Sequence, residues 1–247
     1  MIKEERRDNV VWLKLDQPPV NVLDKALLTA LAEKTEQLHD DETVGALLLS
    51  GAGKMFSAGA SVEEHQPEQA PEMLQALERA CRALENAPFP TVALLHGNCL
   101  GGALELAASC DFLVADPAAQ MGVPEIKLAF FPPLACARLP LLIGRANTAY
   151  LVFTGESISA ETALQWGLVQ QIMPQDEWPK LAERFNRLSR PVLRLAKRAL
   201  GAAALPEPAG AREAAVHLFL EELYRVEDVQ EGIQSFMEKR RPEWKHR

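Results

Sequence analysis

Apolar and polar positions alternate between two periods along the first half of the chain. Val10 to Leu15 is a short β-rich run that ends at Asp16-Gln17-Pro18-Pro19, a turn signal. From Lys25 to His39, Leu27, Leu28, Leu31 and Leu38 recur close to helical spacing with polar residues between them, which predicts an amphipathic helix. Ala46 to Leu49 predicts a strand running into Gly51-Ala52-Gly53. Met73 to Leu84 returns to helical spacing through Leu74, Leu77, Ala80, Cys81 and Leu84, until Pro88 and Pro90 stop it. Thr91 to Leu95 is again strand-like, Gly101-Gly102 opens an Ala/Leu-rich helix to Ser109, and Phe112 to Ala115 predicts another strand. Strand, crossover helix, strand is the pattern of an α/β fold with buried parallel pairing.

From about Gly144 the pattern turns to helices with little strand. Ser159 begins a helix with Glu161 and Thr162 in its first turn, and Gly167 ends it. Val169 to Met173 predicts a last strand. Beyond Pro191, the segments Leu193 to Leu200, Arg212 to Tyr224 and Val229 to Lys239 read as amphipathic helices, with a break at Leu205-Pro206-Glu207-Pro208. Apolar faces such as Val216, Phe219, Leu220 and Leu223, or Ile233, Phe236 and Met237, must bury against the core or another subunit. The chain thus divides into a region 1–190 and a helical region 191–247, with no internal repeat.

Composition narrows the partners. The 247 residues are 48% apolar and 24% charged, ordinary for a globular protein able to bury a core without disulfides. Net charge is −8, aromatic residues make up 6%, and no basic stretch interleaves with aromatics, so nucleic acid is not an expected partner. Met1 to Asp8 is mostly charged, with no apolar core of a signal peptide. The most apolar long window, Leu128 to Gly144, is interrupted by Pro132, Pro133, Arg138 and Pro140 and is not expected to span a membrane. Cys81, Cys99, Cys110 and Cys136 show no CxxC spacing and have apolar neighbours. They read as buried free thiols in a reducing, cytoplasmic compartment, with no metal site.

Several nucleotide and nucleophile signatures fail. Gly51-Ala52-Gly53-Lys54-Met55 lacks the hydroxyl residue and the spacing of a phosphate-binding loop, Gly97 to Gly102 is not GxGxxG, and Ser57 has no nucleophile elbow. His96 with Cys99 is a lone pair near metal-ligand spacing and reads as packing. Two Gly-containing turns remain, Phe56-Ser57-Ala58-Gly59-Ala60-Ser61 and Gly97-Asn98-Cys99-Leu100-Gly101-Gly102-Ala103. Small residues let a ligand approach the backbone, and N–H groups at a helix start can face a developing oxyanion. Glu105 and Glu125 both sit among apolar neighbours, where an unpaired carboxylate is costly. Each carboxylate either caps local backbone groups or does chemistry.

These segments resemble the enoyl-CoA hydratase/isomerase (crotonase) superfamily. The resemblance is carried by Ser57-Ala58-Gly59-Ala60, by the run Gly97 to Ala107, by Val123-Pro124-Glu125-Ile126, and by Ile143-Gly144-Arg145-Ala146. It continues through Phe153 to Ala160, Ala163 to Val169, and a tail from Gly232 to Pro242, and so covers essentially the whole chain. It implies a crotonase-like spiral of ββα units over 1–190, followed by a helical region over 191–247 that builds homotrimers or homohexamers. It further implies an acyl-CoA thioester substrate, no separate cofactor, and an oxyanion hole made by the backbone N–H groups of Ala60 and Gly102. The substrate and CoA arm would run along Ala58, Gly59, Ala60, Ser61, Val62, Glu63, Gly101 and Gly102, with Glu105 activating water and Glu125 donating a proton.

Two departures narrow the resemblance, although Ala103 replaces a more usual glycine. Ser61 stands where common hydratases carry Asp, and the loop after Glu125 is Phe130-Phe131-Pro132-Pro133-Leu134-Ala135-Cys136. Both are similar to cyclohexa-1,5-diene-1-carbonyl-CoA hydratases, and Phe130, Phe131, Pro132 and Leu134 would then line an acyl pocket able to accept a ring. The alternatives are a hydratase or Δ3,Δ2-isomerase for linear enoyl chains and, in another class, a non-catalytic acyl-CoA or RNA-binding scaffold. His65 reads as an exposed histidine at a helix start, with a place in the lining of the site as the alternative.

Overall fold

The chain builds two sheets at once. A computed structural model describes residues 1–66, 68–128, 130–202, 225–228, 231, 238 and 240–247. The large sheet runs in the order β1 (Ile2–Arg7), β2 (Val10–Leu15), β3 (Ala46–Gly51), β4 (Thr91–Leu95), β6 (Phe112–Ala115) and β9 (Gln171–Ile172). Only β1 is antiparallel to its neighbour. The small sheet orders β5 (Asn98–Leu100), β7 (Gln120–Gly122) and β8 (Ser157–Ser159). The chain leaves β4 for β5 and then helix α3 (Gly102–Ala107), and later leaves β6 for β7. Successive turns of a spiral therefore feed both sheets.

Strand alternation decides what each face buries. Along β2, Val11, Leu13 and Leu15 join the main core with α1 (Lys25–His39) and α2 (Ala70–Glu85), whereas Val10 and Trp12 face the opposite side. That side is closed by α6 (Trp178–Asn186) through Trp178, Leu181 and Phe185. Burial on both faces is what parallel strands require, and it explains their near-continuous apolar composition. Asp24 caps α1 by accepting from the Leu27 N–H at 2.8 Å. Ser159 caps α5 (Ala160–Trp166), and Gly167 ends it in the left-handed conformation, as the sequence predicts.

Several elements differ from the sequence expectation. The charged N-terminal run forms the edge strand β1, where side chains need no apolar periodicity because one edge and much of its surface meet solvent. The window Leu128 to Gly144, interrupted by prolines in the sequence, contains the start of α4 (Pro133–Thr154). Pro133 occupies the first helical position, where no N–H is needed, and the helix bends at Gly144. The short strands β5, β7 and β8 and helix α6 carried too little pattern to be read. Cys81, Cys99 and Cys110 are buried, but Cys136, in the first helical turns of α4, is exposed.

Leu193 to Leu200 lies within α7 (Arg190–Ala202). Arg212 to Tyr224 lies outside the described residues, as does Val229 to Lys239 apart from Glu231 and Glu238. Near the C-terminus, buried Asp228 accepts from Ser189 Oγ at 2.6 Å and from the Lys245 N–H at 2.6 Å, tying the tail to the α6–α7 connection. Among the described residues no helix is long and apolar enough to cross a membrane, and none of them form a metal-binding group of three or more His, Cys, Asp or Glu.

Candidate functional site

The site is assembled where the Phe56–Ser61 turn meets the start of α3. Ser57 bridges to Cys99 of β5: its N–H donates to Asn98 O at 3.1 Å, and the Leu100 N–H returns to Ser57 O at 3.3 Å. Further on, the Leu23 N–H donates to Gly59 O at 2.8 Å and the Ser61 N–H to Leu23 O at 3.0 Å. That is a parallel bridge between Leu23 and Ala60, in which the residues flanking Ala60 make the bonds. The N–H of Ala60 itself therefore points to the other side, toward α3. Gly102 opens α3, so its N–H is one of the helix-start donors without an intrahelical acceptor.

Ala60 and the start of α3 at Gly102 lie side by side. A Cβ on Gly102 would stand 3.1 Å from Ala60 Cβ and 3.4 Å from Ala60 N. Neither N–H donates to a backbone acceptor among the described residues. Two adjacent free donors suit one oxygen that gains negative charge.

Gly101 has φ 56°, and a Cβ there would come within 2.5 Å of Glu125 Oε1. Glycine at this position both allows the turn and leaves room for the second carboxylate. Its N–H donates to Gly122 O at 2.8 Å, joining the start of α3 to β7 and so to the short 3-10 turn Pro124–Leu128 that carries Glu125.

Glu105 lies one helical turn into α3 and is 3% exposed. Its Oε1 accepts the N–H of Ala135, in the first turn of α4, at 2.8 Å. Backbone capping is therefore part of its role, and the cap fixes the carboxylate in place. Burial pushes its pKa up to about 7; the N–H groups of Ala135 and Leu134 pull downward, and the Glu125 carboxylate adds to the rise. Glu125 is half-buried, its pKa is also raised chiefly by burial, and nearby His65 opposes the rise. Its Oε2 is shielded from solvent and has no hydrogen-bond partner among the described residues. Two carboxylates with one orphan oxygen and two free N–H groups can hold a water and move its protons.

The remaining sequence candidates divide by position. Ala58, Val62 and Glu63 are exposed along the outer lip of the turn, whereas Gly59 and Ser61 are buried beneath it. Phe130 and Phe131 are exposed, Pro132 is buried and Leu134 half-buried. Three further groups lie near the carboxylates: the Ala135 N–H left no sequence signal, Cys136 reads from the sequence without a role in the site, and His65 reads with one only as the alternative. The Ala135 N–H acts through its backbone alone. His65 is half-buried and in ring contact with Phe130, not the exposed helix-start residue expected. The exposed Cys136 thiol has its pKa raised chiefly by partial burial, with the nearby Glu105 and Glu125 charges adding to the rise.

Comparison with known proteins places these features in company. The enoyl-CoA hydratase/isomerase family matches residues 5–247. The chain is 35% identical over 246 residues to a cyclohexa-1,5-dienecarbonyl-CoA hydratase of Thauera aromatica, covering 98% of this chain and 95% of that protein. It is 33% identical over 247 residues to a probable enoyl-CoA hydratase of Bacillus subtilis, covering 96% of this chain and 95% of that one. The crystal structure of an enoyl-CoA hydratase from Bacillus anthracis superposes with a TM-score of 0.94 at 30% identity, over 100% of this chain and 99% of the other. The two-sheet α/β spiral is thus the crotonase fold.

Proposed function

Because the chain belongs to the enoyl-CoA hydratase/isomerase family, a hydro-lyase family, we propose that it adds water to an α,β-unsaturated acyl-CoA thioester, with cyclohexa-1,5-diene-1-carbonyl-CoA as its preferred substrate. The observation that carries the reaction is the pair Glu105 and Glu125 set beside the free N–H groups of Ala60 and Gly102. The cyclic acyl group is supported by the similarity to the Thauera protein and by the apolar loop from Phe130 to Cys136.

In this reading the thioester oxygen sits between the two N–H groups and gains charge as the enolate forms. Glu105, ionised, takes a proton from a water held between the carboxylates, and the hydroxyl bonds to the β carbon. Glu125, protonated, gives its proton to carbon as the enolate collapses. For a simple enoyl thioester that is the α carbon. For the conjugated diene it is the far carbon of the extended enolate, leaving a hydroxycyclohexene thioester. Glu105 then returns the water proton to Glu125, and no external acid is consumed.

The functional unit is a homotrimer or a pair of trimers. Support comes from α4, where Leu141 and Phe153 are 79% and 75% exposed, with Tyr150 and Leu142 also uncovered on the same helix. Apolar surface of that extent calls for a partner.

A panel of crotonyl-CoA, longer linear enoyl-CoA thioesters and cyclohexa-1,5-diene-1-carbonyl-CoA, followed by mass spectrometry, tests the reading. The expected result is a mass gain of one water, with the highest kcat/KM for the diene. A preference for crotonyl-CoA would replace the cyclic substrate by a linear one. A double-bond shift without mass gain would make the enzyme an isomerase.

A further inference from the structure

Two short turns meet ring to ring beside Glu125. The first is organised by Ser61, whose own N–H is anchored on Leu23 O at 3.0 Å. Ser61 Oγ accepts the Glu64 N–H at 3.4 Å, the His65 N–H donates to Val62 O at 3.2 Å, and His65 Nδ1 lies 2.7 Å from Ser61 O. A carbonyl oxygen can only accept, so Nδ1 carries a proton and Nε2 is the nitrogen left over in the neutral ring. The second turn is closed by the Phe130 N–H donating to Glu125 O at 3.0 Å, while the Glu125 carboxylate packs over Gly101. The His65 and Phe130 ring centroids are 5.1 Å apart at an interplanar angle of 61°, an edge-to-face contact.

This contact joins the segment that follows the Ala60 N–H to the segment that carries Glu125. It lies beside Glu125, whose backbone carbonyl accepts the Phe130 N–H. Phe130 remains 43% exposed and His65 half-buried, so the pair borders open space and is not part of the core. The residue that distinguishes the turn, Ser61, holds His65 through its carbonyl and closes the turn through its hydroxyl on the Glu64 N–H.

We propose that the His65–Phe130 pair is the end wall of the acyl pocket, a specificity determinant that confines the substrate to compact acyl groups and excludes long linear chains. The inference rests on the hydratase reading above. A proton donor must lie within hydrogen-bond reach of the carbon it serves, so acyl atoms only a few bonds past the reacting carbons meet these rings. A short or cyclic acyl group ends before the wall, or lies flat against its ring edges. A longer chain has to part the two turns. The influence of His65 on the Glu125 carboxyl, which opposes the effect of burial, agrees with this placement.

The test measures kcat/KM for a series of linear enoyl-CoA thioesters from crotonyl to dodecenoyl, in the wild type, His65→Ala, Phe130→Ala and the bulk-retaining His65→Phe. The readout is the long-to-short ratio within each protein, which loss of correctly folded enzyme does not alter. The wild-type ratio is expected to fall at least about tenfold along the series, the scale on which pockets discriminate added methylenes. Each alanine variant should raise that ratio by a similar factor, and His65→Phe should preserve the wild-type cutoff. A wild type that hydrates dodecenoyl-CoA as well as crotonyl-CoA, or alanine variants with the wild-type profile, would overturn the wall while leaving the hydratase reading intact. A wild type that hydrates none of these thioesters, nor the diene, would remove the hydratase reading itself.

Discussion

At Glu105, burial and hydrogen bonding pull in opposite directions, and burial wins: its pKa rises from 4.5 to about 7. Two predictions follow from the sign. A base must be ionised to take a proton from water, so kcat/KM should rise with pH through a limb centred near 7, a limb that Glu105→Gln removes together with most activity. Stability should move the other way. Between pH 4.5 and 7 the folded state binds more protons at this residue than the unfolded chain, so its contribution to stability falls as pH rises through that window. The loss is on the order of 3 kcal/mol by linkage. Gln keeps an oxygen to accept the Ala135 N–H and carries no charge, so denaturation midpoints at pH 8 should be higher for Glu105→Gln than for the wild type, and similar near pH 4.5. Glu125→Gln should lower kcat by roughly 10²–10⁴-fold, the usual contribution of a general acid; near-normal hydration by a folded variant would remove Glu125 from the mechanism.

Helix α3 is where the sequence and the structure share the work. Its start at Gly101-Gly102 and its buried glutamate were legible from composition alone, because only small residues and an isolated acid interrupt an apolar run. Its relation to Ala60 was not, since backbone donors leave no side-chain signature; that pairing came through family resemblance. A side chain on Gly102 would enter the space between the two N–H groups. Gly102→Val should therefore cost about 10²–10³ in kcat, the loss seen when an oxyanion-hole donor is removed, with circular dichroism unchanged. The cap of α5 was also readable, from Ser159, whereas the Asp24 cap of α1 emerged only in the structure. Ser159→Ala should destabilise the fold by about 1 kcal/mol in chemical denaturation, with the acyl-CoA kinetics unaltered. By contrast α4 forms despite its prolines: Pro133 sits in the first turn, where no N–H is needed, Pro140 lies inside the helix, and non-helical Gly144 kinks it.

Across the whole molecule, the apolar fraction of 48% divides between a two-faced core and an uncovered surface on α4. The assembly proposed above predicts that Phe153→Glu, which places a charge on that surface, shifts sedimentation from a trimer or hexamer toward a monomer. A wild-type protein that sediments as a monomer at micromolar concentration would discard the assembly. The net charge of −8 carries little information about the ligand, since CoA is itself anionic and answers to local groups.

By itself the sequence determined the α/β class, the main strands and helices, and which two carboxylates are out of place. Each of these is written in local periodicity or in the cost of burying a charge. The tertiary structure alone decided that the Ala135 N–H holds Glu105 and that Gly101 is small because Glu125 lies over it, and it supplied the geometry of the Ala60–Gly102 pair that the resemblance implied. It also decided that His65 and Phe130 meet, and that Cys136 is outside the core. These are contacts between residues tens of positions apart, made by backbone atoms or by side chains with no local pattern, and they exist only once the spiral brings its turns together.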